Sequence, residues 1–98
     1  MFGLIGAIHT TVEGRGEVVD ALLTVRGTMP GNREYLVALD AQDDTAIWVT
    51  EVWDSQDAHA ASLLLPVVTD AIARARPHIT GMGSRIVTTP IGLDKATP

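Results

Sequence analysis

Between residues 51 and 66 the chain reads EVWDSQDAHAASLLLP, and this stretch holds the densest set of side chains able to do chemistry. Glu51 and His59 can accept a proton, and Trp53 can stack on a planar ligand or donate to it through its indole N–H. Histidine is the side chain whose ordinary ionisation falls nearest neutral pH, so His59 is the leading candidate for a general base. A histidine on the wet side of a helix is the plain structural alternative. Further candidates for contacting a ligand are Tyr35, Trp48 and Arg85: a phenol that donates a hydrogen bond, an aromatic platform, and a cation able to hold an anionic group. Glu51 equally suits a structural role, accepting from a backbone N–H or pairing with an arginine such as Arg85. His9 and His78 lie at element edges. The three histidines show no metal-ligand spacing and there is no cysteine, so no metal site is expected.

Those side chains must be held by a small scaffold. The chain has 98 residues, enough for one domain, and 46% hydrophobic against 19% charged residues places it among globular sequences. A net charge of −5 without a basic cluster argues against nucleic acid or an anionic membrane as partner. The apolar start, MFGLIGAI, lacks the basic flank and cleavage site of a leader and is too short to span a bilayer. The expectation is a soluble, cytoplasmic, single-domain protein over residues 1–98, with residues 90–98 as a tail.

FGLIGAIHT is a β-branched apolar run that suits a strand. Val18, Leu22, Val25 and Met29 then recur at helical spacing, and Pro30 and Gly31 stop the helix. Residues 33–40 and the run TAIWVTEVW form two strands around the turn AQDD, a predicted hairpin in which Asp43 and Asp44 read as solvated charges. Ser55 is a good N-cap for a short helix bearing His59, with Asp57 in the first turn where the helix dipole favours negative charge. Pro66 can open a new helix, VVTDAIARAR, which Pro77 ends. GMGSRIVTT is the last strand. The order β-α-β-β-α-β predicts an α+β, ferredoxin-like fold with a four-stranded antiparallel sheet. In TAIWVTEVW, Ile47, Val49 and Trp53 share one face with Glu51, while Ala46, Trp48 and Val52 share the other. Both faces are apolar, and short helices cover one. The second face needs a partner, and a second copy of the chain is the simplest.

PGNREY is similar to the Gly-x-x-x-Tyr entry to the second strand in the antibiotic biosynthesis monooxygenase family, and WVTEVWDSQDA resembles that family's Glu-x-Trp-x-Ser-x-x-Ala corner. Pro66 matches a proline of its second helix, and the resemblance runs in register from Phe2 to Thr89. It implies a dimeric α+β barrel, in which two sheets pack face to face, with a pocket between sheet and helices in each subunit. The family includes oxygenases that use O2 without metal or flavin, haem-degrading enzymes, an isomerase, and proteins without known activity. Haem-degrading relatives resemble one another in an Asn, a Trp and a His at the positions held here by Ala7, Ser62 and Ile72, so haem chemistry is not expected.

The resemblance therefore implies a cofactor-independent monooxygenase that oxidises a small phenolic, quinol or anthrone-type compound. A base takes the substrate proton and the anion passes an electron to oxygen, which asks for an apolar pocket and a base that titrates near working pH. His59 is then the catalytic residue, and Trp53, Tyr35, Trp48, Glu51 and Arg85 are candidate substrate contacts, with no cofactor and with a homodimer, a small aromatic molecule and O2 as partners. A non-catalytic small-molecule-binding module and an isomerase on the same fold are the alternatives.

Overall fold

The computed structural model describes residues 1–93. Strand β1 (Phe2–Thr10) leads into helix α1 (Arg15–Val25), followed by β2 (Asn32–Leu39) and β3 (Ala46–Trp53). Helix α2 (Gln56–Ser62), helix α3 (Pro66–Ala75) and a 3-10 turn at Arg76–His78 precede β4 (Ile79–Thr88). The four strands pair in the order β2-β3-β1-β4, all antiparallel. This is the ferredoxin-like α+β arrangement expected from the element order. Of the tail expected over residues 90–98, residues 90–93 carry no helix or strand, and the rest lies outside the described residues.

Alternation along the strands sorts the side chains as their period of two requires. The register sets Phe2 opposite Trp53, Leu4 opposite Glu51, Gly6 opposite Val49 and Ile8 opposite Ile47, all on the helix-covered face. Ile47, Val49 and Trp53 there meet Val18, Ala21 and Val25 of α1 and Val68, Ala71 and Ala75 of α3 to form the core. Trp53 is 1% exposed and Ile47 fully buried. Pro66 occupies the first turn of α3, where its missing N–H costs nothing, and Leu65 in extended conformation marks the break from α2.

Three local expectations are corrected. Helix α1 ends at Val25, one turn before the stripe that reached Met29, because Arg26 (ψ 130°) and Gly27 (φ +80°) form a turn out of the helix, closed by the Thr28 N–H on the Val25 carbonyl at 3.1 Å. Met29 is still buried, reaching the core from a loop. Asp43 is not merely a solvated charge: its Oδ1 accepts from the Thr45 N–H at 2.9 Å and the Thr45 hydroxyl at 2.6 Å. With Asp40, which accepts from the Gln42 and Asp43 N–H groups, it builds the β2–β3 turn. These bonds hold both carboxyls below the ordinary carboxylate range, led in Asp40 by the Trp48 indole and in Asp43 by the Thr45 hydroxyl. Last, Arg76 lies beyond α3, in the 3-10 turn.

Candidate functional site

Trp53 ends β3 with its ring under the helices, and its indole N–H donates to Glu51 Oε1 at 3.0 Å. Residues two apart on a strand share a face, so this bond follows from local geometry. Glu51 thus takes an indole N–H as its partner, where a backbone N–H or Arg85 was expected. Ser55, extended at φ −157°, accepts from the Ala58 N–H at 3.1 Å and starts α2. The His59 N–H donates to the Ser55 carbonyl, one turn on, and this phase turns the imidazole inward. Its ring lies 5.3 Å from the Trp53 ring, edge-on at 71°, and 5.8 Å from the ring of Phe2. Those are packing contacts. Neither imidazole nitrogen hydrogen-bonds another of the described residues. The Ser62 hydroxyl, buried on the same helix, is satisfied by the His59 carbonyl at 2.6 Å.

Two connected spaces adjoin this imidazole. An inner cavity of about 130 Å³ lies between sheet and helices, with Val25, Met29, Trp53, Val68 and Ala71 among its walls. An outer groove of about 330 Å³ runs across the sheet past Leu4, Gly6 and Val49 toward Met82 and Arg85. Leu22, Tyr35, Glu51 and His59 border both. Burial raises the Tyr35 pKa well above its usual value, and the neighbouring Glu51 charge adds to the rise. The phenol therefore keeps its proton at any physiological pH, and can donate a hydrogen bond but not act as a base.

The structure brings His59, Trp53, Tyr35 and Glu51 together around one space and puts Arg85 at the far end of the groove. Trp48 is not with them. It lies on the opposite sheet face, paired with Ala7, and its indole N–H donates to Asp40 Oδ2 at 2.9 Å. His9 faces the same way, beside Gly83, and His78 sits in the 3-10 turn, so the three histidines do not converge. Among the described residues no group of three or more acidic or histidine side chains is placed to hold a metal. Phe2, Leu22 and Gly6 belong to the site although nothing in residue type marked them. Phe2 and Leu22 read as ordinary core positions, and Gly6 becomes visible only once the strand register is known.

Comparison with known proteins follows the same outline. A model of the family described as antibiotic biosynthesis monooxygenase matches residues 1–74. Among solved structures, one from Chloroflexus aurantiacus J-10-fl assigned to those monooxygenases is 45% identical, with a TM-score of 0.89 over 93% of each chain. One from Deinococcus radiodurans with the same assignment is 25% identical, with a TM-score of 0.72 over 92% of each chain. A cofactor-independent oxygenase from Streptomyces nogalater is 13% identical and shares the fold, with a TM-score of 0.74 over 92% of each chain. Comparison with curated proteins finds no match. Among the described residues no helix is long and apolar enough to cross a membrane.

Proposed function

Because the chain belongs to the antibiotic biosynthesis monooxygenase family, we propose that it is a cofactor-independent monooxygenase oxidising a small phenolic, quinol or anthrone-type compound with O2, and that His59 is its general base. One observation carries the assignment of the base. The His59 imidazole borders both an apolar inner cavity and an open groove, with no hydrogen bond to another described residue occupying its nitrogens. A base must be free to meet the substrate proton, and this one is.

The steps follow from that placement. A flat substrate lies against Trp53 with its acidic group, the hydroxyl of a phenol or quinol or the CH2 of an anthrone, toward His59, and an imidazole nitrogen takes the proton. The anion passes one electron to O2, and the resulting radical pair joins to form a carbon–oxygen bond. For an anthrone-type substrate the net change is CH2 plus O2 to C=O plus H2O: the carbon is oxidised, and one oxygen atom leaves as water. The apolar walls exclude water from the anion, and the protonated Tyr35 phenol can donate to the oxygen on which negative charge rests. The same reading includes a homodimer that covers the sheet face turned from the helices, where Leu36 and Ile86 are each 52% exposed.

The test is oxygen uptake over a panel of anthrones and hydroquinones. His59→Phe keeps the ring contacts with Phe2 and Trp53 but has no base. It should lower turnover of an accepted substrate at least roughly a hundredfold while the melting temperature changes little. Full activity in that variant would remove His59 from the mechanism.

A further inference from the structure

The site has an inner room with a size limit. The cavity behind His59 holds about 130 Å³ and the groove in front of it about 330 Å³, and Leu22, Tyr35, Glu51 and His59 form the neck between them. Past the neck the walls are apolar, with Val25, Met29, Val68 and Ala71 beside the Trp53 ring. The Ser62 hydroxyl in this wall is already bonded to the His59 carbonyl, and among the described residues no buried side-chain polar atom lacks a partner. Such a space asks for neither water nor a polar group. Ala21 of α1 and Ala71 of α3, 1% and 9% exposed, keep it open where larger apolar side chains would fill it. At the far end, Leu63 and Ile72 line both the cavity and a hollow open to solvent.

We infer that the inner cavity is a subsite for a short alkyl chain, about three to five carbons long, that the substrate carries beside its acidic group. This rests on the placement of the site in the proposed function and adds the substituent that the site selects. Volume decides it. An apolar cavity of about 150 Å³ holds one benzene ring. Fused rings therefore exceed the 130 Å³ of the inner cavity and lie in the groove. With the acidic group at His59, in the neck, the part of the substrate that reaches the cavity is a substituent next to that group. A polar substituent would lose its hydration there and gain no partner, and a single-ring quinol pushed inward would bury its second hydroxyl against the same apolar walls. A chain longer than about five carbons would emerge between Leu63 and Ile72 into water.

NMR titration under argon with a series of 2-alkylphenols, from methyl to heptyl, tests this without requiring turnover. In the natural protein affinity should rise about fourfold per added CH2 and level off at about five carbons. Ala71→Leu fills the cavity and should hold the pentyl compound to within about threefold of the methyl one. Met29→Ala enlarges the cavity from a loop and should carry the rise about two carbons further. A thermal melt checks that each variant is folded, and the second variant keeps the test open if the first is not. Affinity that is flat or falling along the series, a rise that continues evenly to heptyl, or a length limit that neither folded variant moves would each overturn the inference. Oxygen uptake that ignores chain length would also overturn it and leave the oxygenase reading standing. A protein that shows the length limit but consumes no oxygen would refute the oxygenase reading and leave this one standing.

Discussion

Replacing Glu51 by leucine isolates the hydrogen bond at the centre of the site. Trp53 is 1% exposed, and its indole N–H has the Glu51 carboxylate as acceptor at 3.0 Å. Leucine has nearly the volume of glutamate but accepts no hydrogen bond, so a buried N–H loses its partner at a cost of about 1–3 kcal/mol. An opposing effect must be weighed. Removing a carboxylate from apolar surroundings returns its desolvation cost, which for a fully buried charge can exceed the bond it makes. Glu51 is only half-buried and borders the open groove, so that return is partial and the lost bond dominates. A net loss of about 2 kcal/mol lowers the melting temperature of a domain this size by about 8–16 °C. Glu51→Gln keeps an acceptor oxygen and loses only the charge-assisted share, about 1 kcal/mol. The assay is thermal unfolding by circular dichroism at one fixed protein concentration, since self-association would shift the midpoint. A leucine variant melting at or above the natural protein would show that the carboxylate is tolerated for chemistry and not for structure, and would refute the reasoning.

Tyr35 is the chain's one tyrosine, so absorbance near 295 nm reports its ionisation directly. Phenolate should appear well above pH 10, and Glu51→Gln should move the titration down while burial keeps it raised. An unfolded phenol ionises near pH 10 and the folded one later, so this group's contribution to stability is complete below pH 10 and declines above it; an alkaline melt series checks the sign. Gly31 takes φ +81°, and a Cβ there would lie 2.7 Å from the Ala58 side chain on α2, whereas Gly27 at φ +80° has no neighbour within 4 Å. Gly27→Ala should therefore cost about 1–2 kcal/mol and Gly31→Ala distinctly more, by chemical denaturation; equal losses would mean that α2 yields freely. For the proposed homodimer, sedimentation at micromolar concentration should give two chains, and Leu36→Glu with Ile86→Glu should give one; a folded natural monomer would refute the argument from the apolar face.

Much of the scaffold could be read from the residues because its signals are local. The alternation that sets Ile47, Val49 and Trp53 against Ala46, Trp48 and Val52 survives intact in the sheet, since a strand's period is fixed by its backbone. Ser55 was legible as a cap, and Pro66 as the start of a helix, for equally local reasons. Met29 misled because a buried methionine in a loop continues a helical stripe as convincingly as one in a helix; the glycine at residue 27 was the better signal. The space itself was not legible. It depends on which rows of β1, β3 and β4 fall side by side and on where α2 crosses them, so the neighbours His59–Phe2 and Glu51–Gly6–Arg85 emerge only from tertiary register. Trp48 shows the converse: its face was readable, but its bond to Asp40 was not.

The sheet order has a consequence for how the chain comes to be folded. β1 is central, between β3 and β4, so the first strand synthesised is completed last: Gly3 meets Val52 on one side and Thr88 on the other. Only the β2–β3 hairpin joins strands that follow one another, so it can form while the chain is still emerging from the ribosome. Until β4 arrives, β1 presents a bare edge of N–H and C=O groups flanked by Leu4, Ile5 and Ile8, the kind of edge that recruits other chains. A chain clipped after residue 78 would present that β1 edge, whereas in the complete sheet β4 is itself the outer strand, so the open edge passes to a strand that exposes Met82, Ile86 and Val87.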